Sequence, residues 1–307
     1  MAGMTLAAAA QPSTESVTVT GTKSRAVLQD FARSFAARSQ IIGKIARWET
    51  GICPVTTGLP PEDAAFVTQR LKDVAARVGA PISADKACKH NIEIVFTRTP
   101  QALLDNIKKT QENFLGYHDS PEQRDRLATV THPIQAWYTT ATQDLNGVLQ
   151  IDASTMTMHG PGLLVQLPCE MMSTGRGPIG KGAICSEYWP YTRKYNSAGS
   201  RVRDGLRSDF YNVIVVADIG RIGSLQLDSA SDYIALLALS QPSSLDACPS
   251  LSSILSLLAR NCSSHADRLT DADVSYLEGA YRMNPEMTVG LQESQIAERM
   301  QQSLAGK

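Results

Sequence analysis

No stretch of the 307 residues is apolar for the roughly 20 positions that a membrane-crossing helix needs. Cysteine never occurs as CxxC, histidine never as HExxH or another close pair, and there is no GxSxG elbow. The first absence removes structural zinc fingers and dithiol redox motifs, whose ligands come at short spacing. The other two remove the sequence signatures of zinc peptidases and of α/β-hydrolases. An excess of one charge is missing as well. The 29 Lys and Arg stand against 30 Asp and Glu, so no overall field draws the chain to nucleic acid or an anionic bilayer. Aromatic residues are sparse at 6%, which gives weight to any place where they gather.

What is present is a globular composition, 43% hydrophobic and 19% charged, in a chain long enough to bury a large core. Met1 to Ala10 is short, apolar and rich in small residues, and it reads as the remnant of a secretory signal peptide without its basic beginning. Residues 11–24 then form a flexible arm, and 25–307 a single domain. Six cysteines fit an exported protein: Cys53, Cys88, Cys169, Cys185, Cys248 and Cys262 stand 35, 16 and 14 positions apart as neighbouring pairs. Many pairings are open to six thiols; nearest-neighbour bonding is the expectation, each clip stabilising by roughly 3 kcal/mol.

Periodicity supplies the elements. Val27, Leu28, Phe31 and Phe35 repeat at helical spacing. Pro60-Pro61-Glu62-Asp63 starts a second helix, which presents Val67, Leu71, Val74, Ala75 and Val78 on one side and stops at Gly79. "NIEIVFT" alternates as a strand, a helix follows from Pro100 to about Leu115, and "IQAWYTTATQDLNGVLQID" turns at Asn146-Gly147. "FYNVIVVAD" (210–218) is the most strongly β segment, and its continuous apolar run suggests a central strand. Helices are expected over "LDSASDYIALLALS", over "PSLSSILSLLARN" between Cys248 and Cys262, behind a Thr270 cap, and from about Leu291 to Leu304. The sum is an α+β fold: a mixed β-sheet packed with helices and closed by a C-terminal helical cap. An irregular, locally basic loop occupies 160–207.

Chemistry is harder to find. Gly175, Gly180 and Lys181 have phosphate-loop spacing, but Gly182 stands where a hydroxyl must hold magnesium. Between Glu170 and Phe210, seven basic residues face four acids, and Tyr188, Trp189, Tyr191, Arg193 and Lys194 crowd one short stretch. Such a loop suits recognition of a protein, glycan or polyanion; the same rings would serve equally to pack it against the body. Asp228 and Asp232 share a helix face at i, i+4, and with Asp218 they are the acids open to a hydrolytic role. No catalytic, metal-binding or cofactor set emerges.

Two resemblances add to this. "ESVTVTGTKSR" resembles the TonB box of outer-membrane receptors, which implies that Val17, Val19, Thr20 and Gly21 pair as an added strand with a periplasmic TonB-like protein. "RWETGICPVTTGLPPEDAAFVTQRLKDVAARVG", "SDYIALLALSQ" and "LTDADVSYLEGAYRM" resemble a family of uncharacterised exported alphaproteobacterial proteins, itself distantly similar to zincin-like domains. That resemblance implies a degenerate zincin-like fold. The helix expected to carry the metal ligands has Tyr233, Ala235, Leu236 and Leu237 instead, so no catalytic residue carries over. The expectation is a non-catalytic, disulfide-stapled protein of the periplasm or envelope, with a peptidase-like hydrolase as the alternative.

Overall fold

Local sequence signals start and stop the elements. A computed structural model describes residues 25–152, the backbone of strands 164–168 and 184–188, and residues 195–305. Helix α1 (Arg25–Phe35) buries Leu28, Phe31, Ala32 and Phe35, as its spacing requires. Strand β1 (Pro54–Thr57) leads into α2 (Pro61–Val78), which begins on Pro60-Pro61 with two acids in its first turn. It ends at Gly79, whose left-handed φ of 82° only glycine adopts without strain. Strand β2 (Ile92–Thr97) lies parallel to β1 and buries Ile92, Ile94 and Phe96.

The helix expected over 100–115 divides into α3 (Pro100–Thr110) and a 3-10 turn, Glu112–Leu115. A short α4 (Pro121–Leu127) precedes the hairpin of β3 (Ile134–Gln143) and β4 (Leu149–Ile151), which turns at Asn146-Gly147. Inside the segment read as irregular, β5 (Leu164–Pro168) and β6 (Ile184–Tyr188) pair as an antiparallel ribbon. The 12-residue β7 (Arg207–Asp218) sits in the middle of a five-stranded sheet of order β1-β2-β7-β3-β4. It is parallel to β2 and antiparallel to β3, so the sheet is mixed.

Because β7 is central, both its faces are covered. Val213, Val215 and Ala217 enter the main core with β2 and the C-terminal helices; Ile214 and Val216 enter a smaller one with Leu104, Ile107, Leu115 and Trp137. A four-residue turn, α5 (Ile219–Ile222), leads to α6 (Leu227–Leu239), where every residue from Ser229 to Leu239 is buried. A buried helix end leaves carbonyls that need donors. Three aromatic side chains provide them: Trp48 Nε1 to Ala238 O (2.8 Å), Tyr138 Oη to Leu237 O (2.9 Å) and Tyr281 Oη to Leu239 O (2.8 Å).

The helix expected between Cys248 and Cys262 is replaced by a 3-10 turn, Ile254–Leu257. Ser253 Oγ accepts from Leu255 N, and buried Asp273 accepts from both Ser253 Oγ and Ile254 N, so side chains draw the backbone away from an α-helical ladder. Asp273 also completes a capping box with Thr270 at the start of α7 (Asp271–Arg282). Helix α8 (Val289–Ala305) crosses α7 closely at Gly279, where a Cβ would stand 3.0 Å from the Ile296 backbone. Cys53 is bonded to Cys88 and Cys248 to Cys262, the expected nearest neighbours; the Cys169–Cys185 pairing lies outside the described side chains.

Candidate functional site

Two cavities of similar volume each hold a buried aspartate, and they differ in how that aspartate is bonded. The first, of about 290 Å³, opens where α2 meets the start of α6 and is lined by Arg70, Asp73, Asp228, Asp232 and Arg268. Asp232 is 1% exposed, takes a 2.5 Å ion pair from Arg70 on one oxygen and accepts Leu269 N–H (3.1 Å) on the other. The hydrogen bond to Asp232 raises the Arg70 pKa against the cost of its partial burial. This aspartate is fully occupied in tying α2 and the 269 loop to α6. Asp218 does not line this cleft; its Oδ1 accepts Gly220 N–H and caps α5. Among the described residues, no three His, Cys, Asp or Glu side chains group as metal ligands.

The second cavity, about 300 Å³, lies over the N-terminal half of β7. Its geometry begins with one extra residue. Along β7 and β3, Trp137 pairs with Ile214 and Thr139 with Asn212, but Thr140 pairs with Phe210, leaving Tyr211 unmatched. Side chains of a strand alternate between faces, so a bulge reverses the alternation beyond it. Phe210 thereby turns into the main core against Trp48 and Tyr138, and Asp209 is placed on the face of Asn212 and Ile214. Asp209, Tyr211 and Asn212 all line the cavity.

The neighbouring chain completes the walls. Beside β7, the segment around Arg47 pairs with Asp209, while β2 pairs only from Val213 onward, so the bulge falls between two partners. The Asn91 side chain closes that interval: Oδ1 accepts Cys53 N–H (2.7 Å) and Nδ2 donates to Gly51 O (3.2 Å). The Cys53–Cys88 bond then anchors Lys89 and His90, which stand at the rim with Glu93. Phe114, Ala141 and Leu149 supply apolar wall, and Tyr211 and Leu149 remain 41% and 46% exposed.

Asp209 and Asn212 are 6% and 5% exposed, yet Asp209 Oδ1 and Asn212 Oδ1 have no hydrogen-bond partner in the protein. Asp209 Oδ2 lies 3.3 Å from Arg207 Nε, an ion pair without hydrogen-bond alignment. Burial pushes the Asp209 carboxyl up to about 6; Arg207 opposes that rise and the Glu49 charge adds to it. A buried carboxylate left short of donors, in a cavity with apolar walls, is the pattern of a ligand site rather than of a structural ion pair.

The residues singled out from sequence lie elsewhere. Val17, Val19, Thr20 and Gly21 lie outside the described residues, as do Trp189, Tyr191, Arg193 and Lys194; Tyr188 is placed only as the last backbone position of β6. Of the three acids, the structure brings Asp228 and Asp232 together and leaves Asp218 apart. Neither Asp209 nor Asn212 stands out in the sequence, because Asp209 falls among the four acids of the basic segment and Asn212 inside a strand marked by its apolar run. Two polar residues three positions apart, astride Phe210-Tyr211, break the period of two, and that break was the available signal. Comparison with protein-family models, curated proteins and solved structures gives no significant match.

Proposed function

We propose that this chain is an exported, disulfide-stapled binding protein without catalytic activity, and that the cavity at the β7 bulge is its ligand site. One observation carries the reading: two side chains that line an apolar-walled cavity of ligand size, each more than nine-tenths buried, carry unpartnered acceptors. Two disulfides support export, since such bonds persist in oxidising compartments. The N-terminal arm, docking as a strand to a periplasmic TonB-like protein, and the aromatic-basic loop are the further contact surfaces in this reading. The hydrolase alternative on a zincin-like scaffold has less support, because α6 is buried from Ser229 to Leu239 and Asp232 is held by Arg70.

A fragment screen on the full, oxidised chain, followed by protein-observed NMR, tests the site. Saturable shifts at Phe114, Tyr211 and Asn212, weakened in Tyr211→Ala, are the expected result. A screen in which no fragment moves those resonances removes the proposal.

A further inference from the structure

From the two unpartnered acceptors we infer the ligand's chemistry: the bulge cavity takes a primary ammonium or amidinium group carried on a small apolar body. The inference rests on the cavity's being the ligand site and goes on to say what fills it. Asp209 Oδ1 and Asn212 Oδ1 both accept and neither has a donor from the protein. Neither oxygen is open to solvent in the free protein, so each carries an unmet demand for a donor. A ligand seated against them meets that demand only if it brings N–H donors of its own. A carboxylate or carbonyl would set acceptor against acceptor, so the same pair of atoms selects against anions. The rest of the wall fixes the other end of the ligand: Phe114, Leu149 and Tyr211 offer apolar and aromatic surface, and a ring face attracts a cation.

The surrounding charges leave this preference standing. Arg207 lies along the same strand and engages Oδ2, not Oδ1. In the adjoining segment Arg47 and Glu49 pair with each other at 2.5 Å. From the loop come Lys89 and His90, and from β2 comes Glu93, whose charge offsets that of exposed Lys89 at the rim. A bound cation favours the ionised carboxylate, whereas Asp209 in the free protein takes up a proton as the pH falls through about 6. Affinity for a cation therefore falls on acidification.

The test uses the full chain with its disulfides intact and three probes of one shape: phenethylamine, 2-phenylethanol and phenylacetate. Each is titrated by protein-observed NMR at pH 7.5 and pH 5.0. The expected result is saturable phenethylamine binding at Phe114, Tyr211 and Asn212, at least tenfold tighter than the alcohol, and about tenfold weaker at pH 5.0. That pH dependence persists in His90→Gln and disappears in Asp209→Asn. Should Asp209→Asn fail to fold, Asn212→Leu serves in its place, with an expected loss of the preference for amine over alcohol. Phenylacetate or the alcohol binding there as tightly as the amine overturns the inference and leaves the cavity as a ligand site. No probe binding at those residues, together with an empty fragment screen, overturns both.

Discussion

Asp209 and Asp232 invite direct comparison. Both are buried aspartates facing cavities of about 300 and 290 Å³, and both lie beside an arginine. Asp232 uses both oxygens, one on Arg70 and one on a backbone N–H. Asp209 keeps one oxygen bare and its arginine misaligned. The lesson is that burial and a nearby cation do not single out a candidate site; an unmet hydrogen-bonding demand in residues that also line a cavity does.

Experiments can break this contrast or sharpen it. The largest effect is expected at the clip that only the β7 cavity possesses. Cys53→Ala with Cys88→Ala should lower stability by roughly 3 kcal/mol and raise hydrogen exchange at Lys89–Asn91, both followed by denaturant titration and exchange mass spectrometry. Next is Asp232→Ala, which strips the Leu269 N–H and the half-exposed Arg70 of their partner. Urea unfolding should report a loss of about 2 kcal/mol, and an unchanged midpoint would mean that the pair is not structural.

The third change has the opposite sign. The folded Asp209 carboxyl binds its proton more tightly than the ordinary 3.8, so its contribution favours folding at low pH and is lost as the pH rises from about 4 to about 6. Asp209→Asn should therefore gain roughly 2 kcal/mol at pH 7.5 and flatten the pH dependence of stability above pH 4. A variant less stable than the parent at pH 7.5 would show that the carboxylate is as well served as Asp232. The smallest effect is expected for Tyr211→Ala, an exposed side chain whose removal should stay within about 0.5 kcal/mol in the same unfolding assay.

The fold was legible where its causes are local. Prolines, first-turn acids and Gly79 mark α2; alternation marks β2; the apolar run from Val213 to Ala217 marks β7; and Thr270 marks the start of α7. It failed between Cys248 and Cys262, where the apolar spacing is helical but Asp273, distant in sequence, recruits Ser253 and Ile254. The site was illegible for a related reason. Asp209 acquires its position from a mismatch with β3, its neighbour from a segment 162 positions earlier, and its rim from a disulfide-held loop. None of these has a local signature. The polar pair within β7 was the single visible trace.

Tyr211 acts as a phase shift in a two-beat pattern. Deleting that one amino acid would close the ladder without turning either neighbour over: Phe210 would stay opposite Thr140 and against Trp48, Asp209 would stay on the Asn212 face, and the ring at the cavity mouth would be gone. A single codon thus separates a strand that bends at its buried carboxylate from one that runs straight past it.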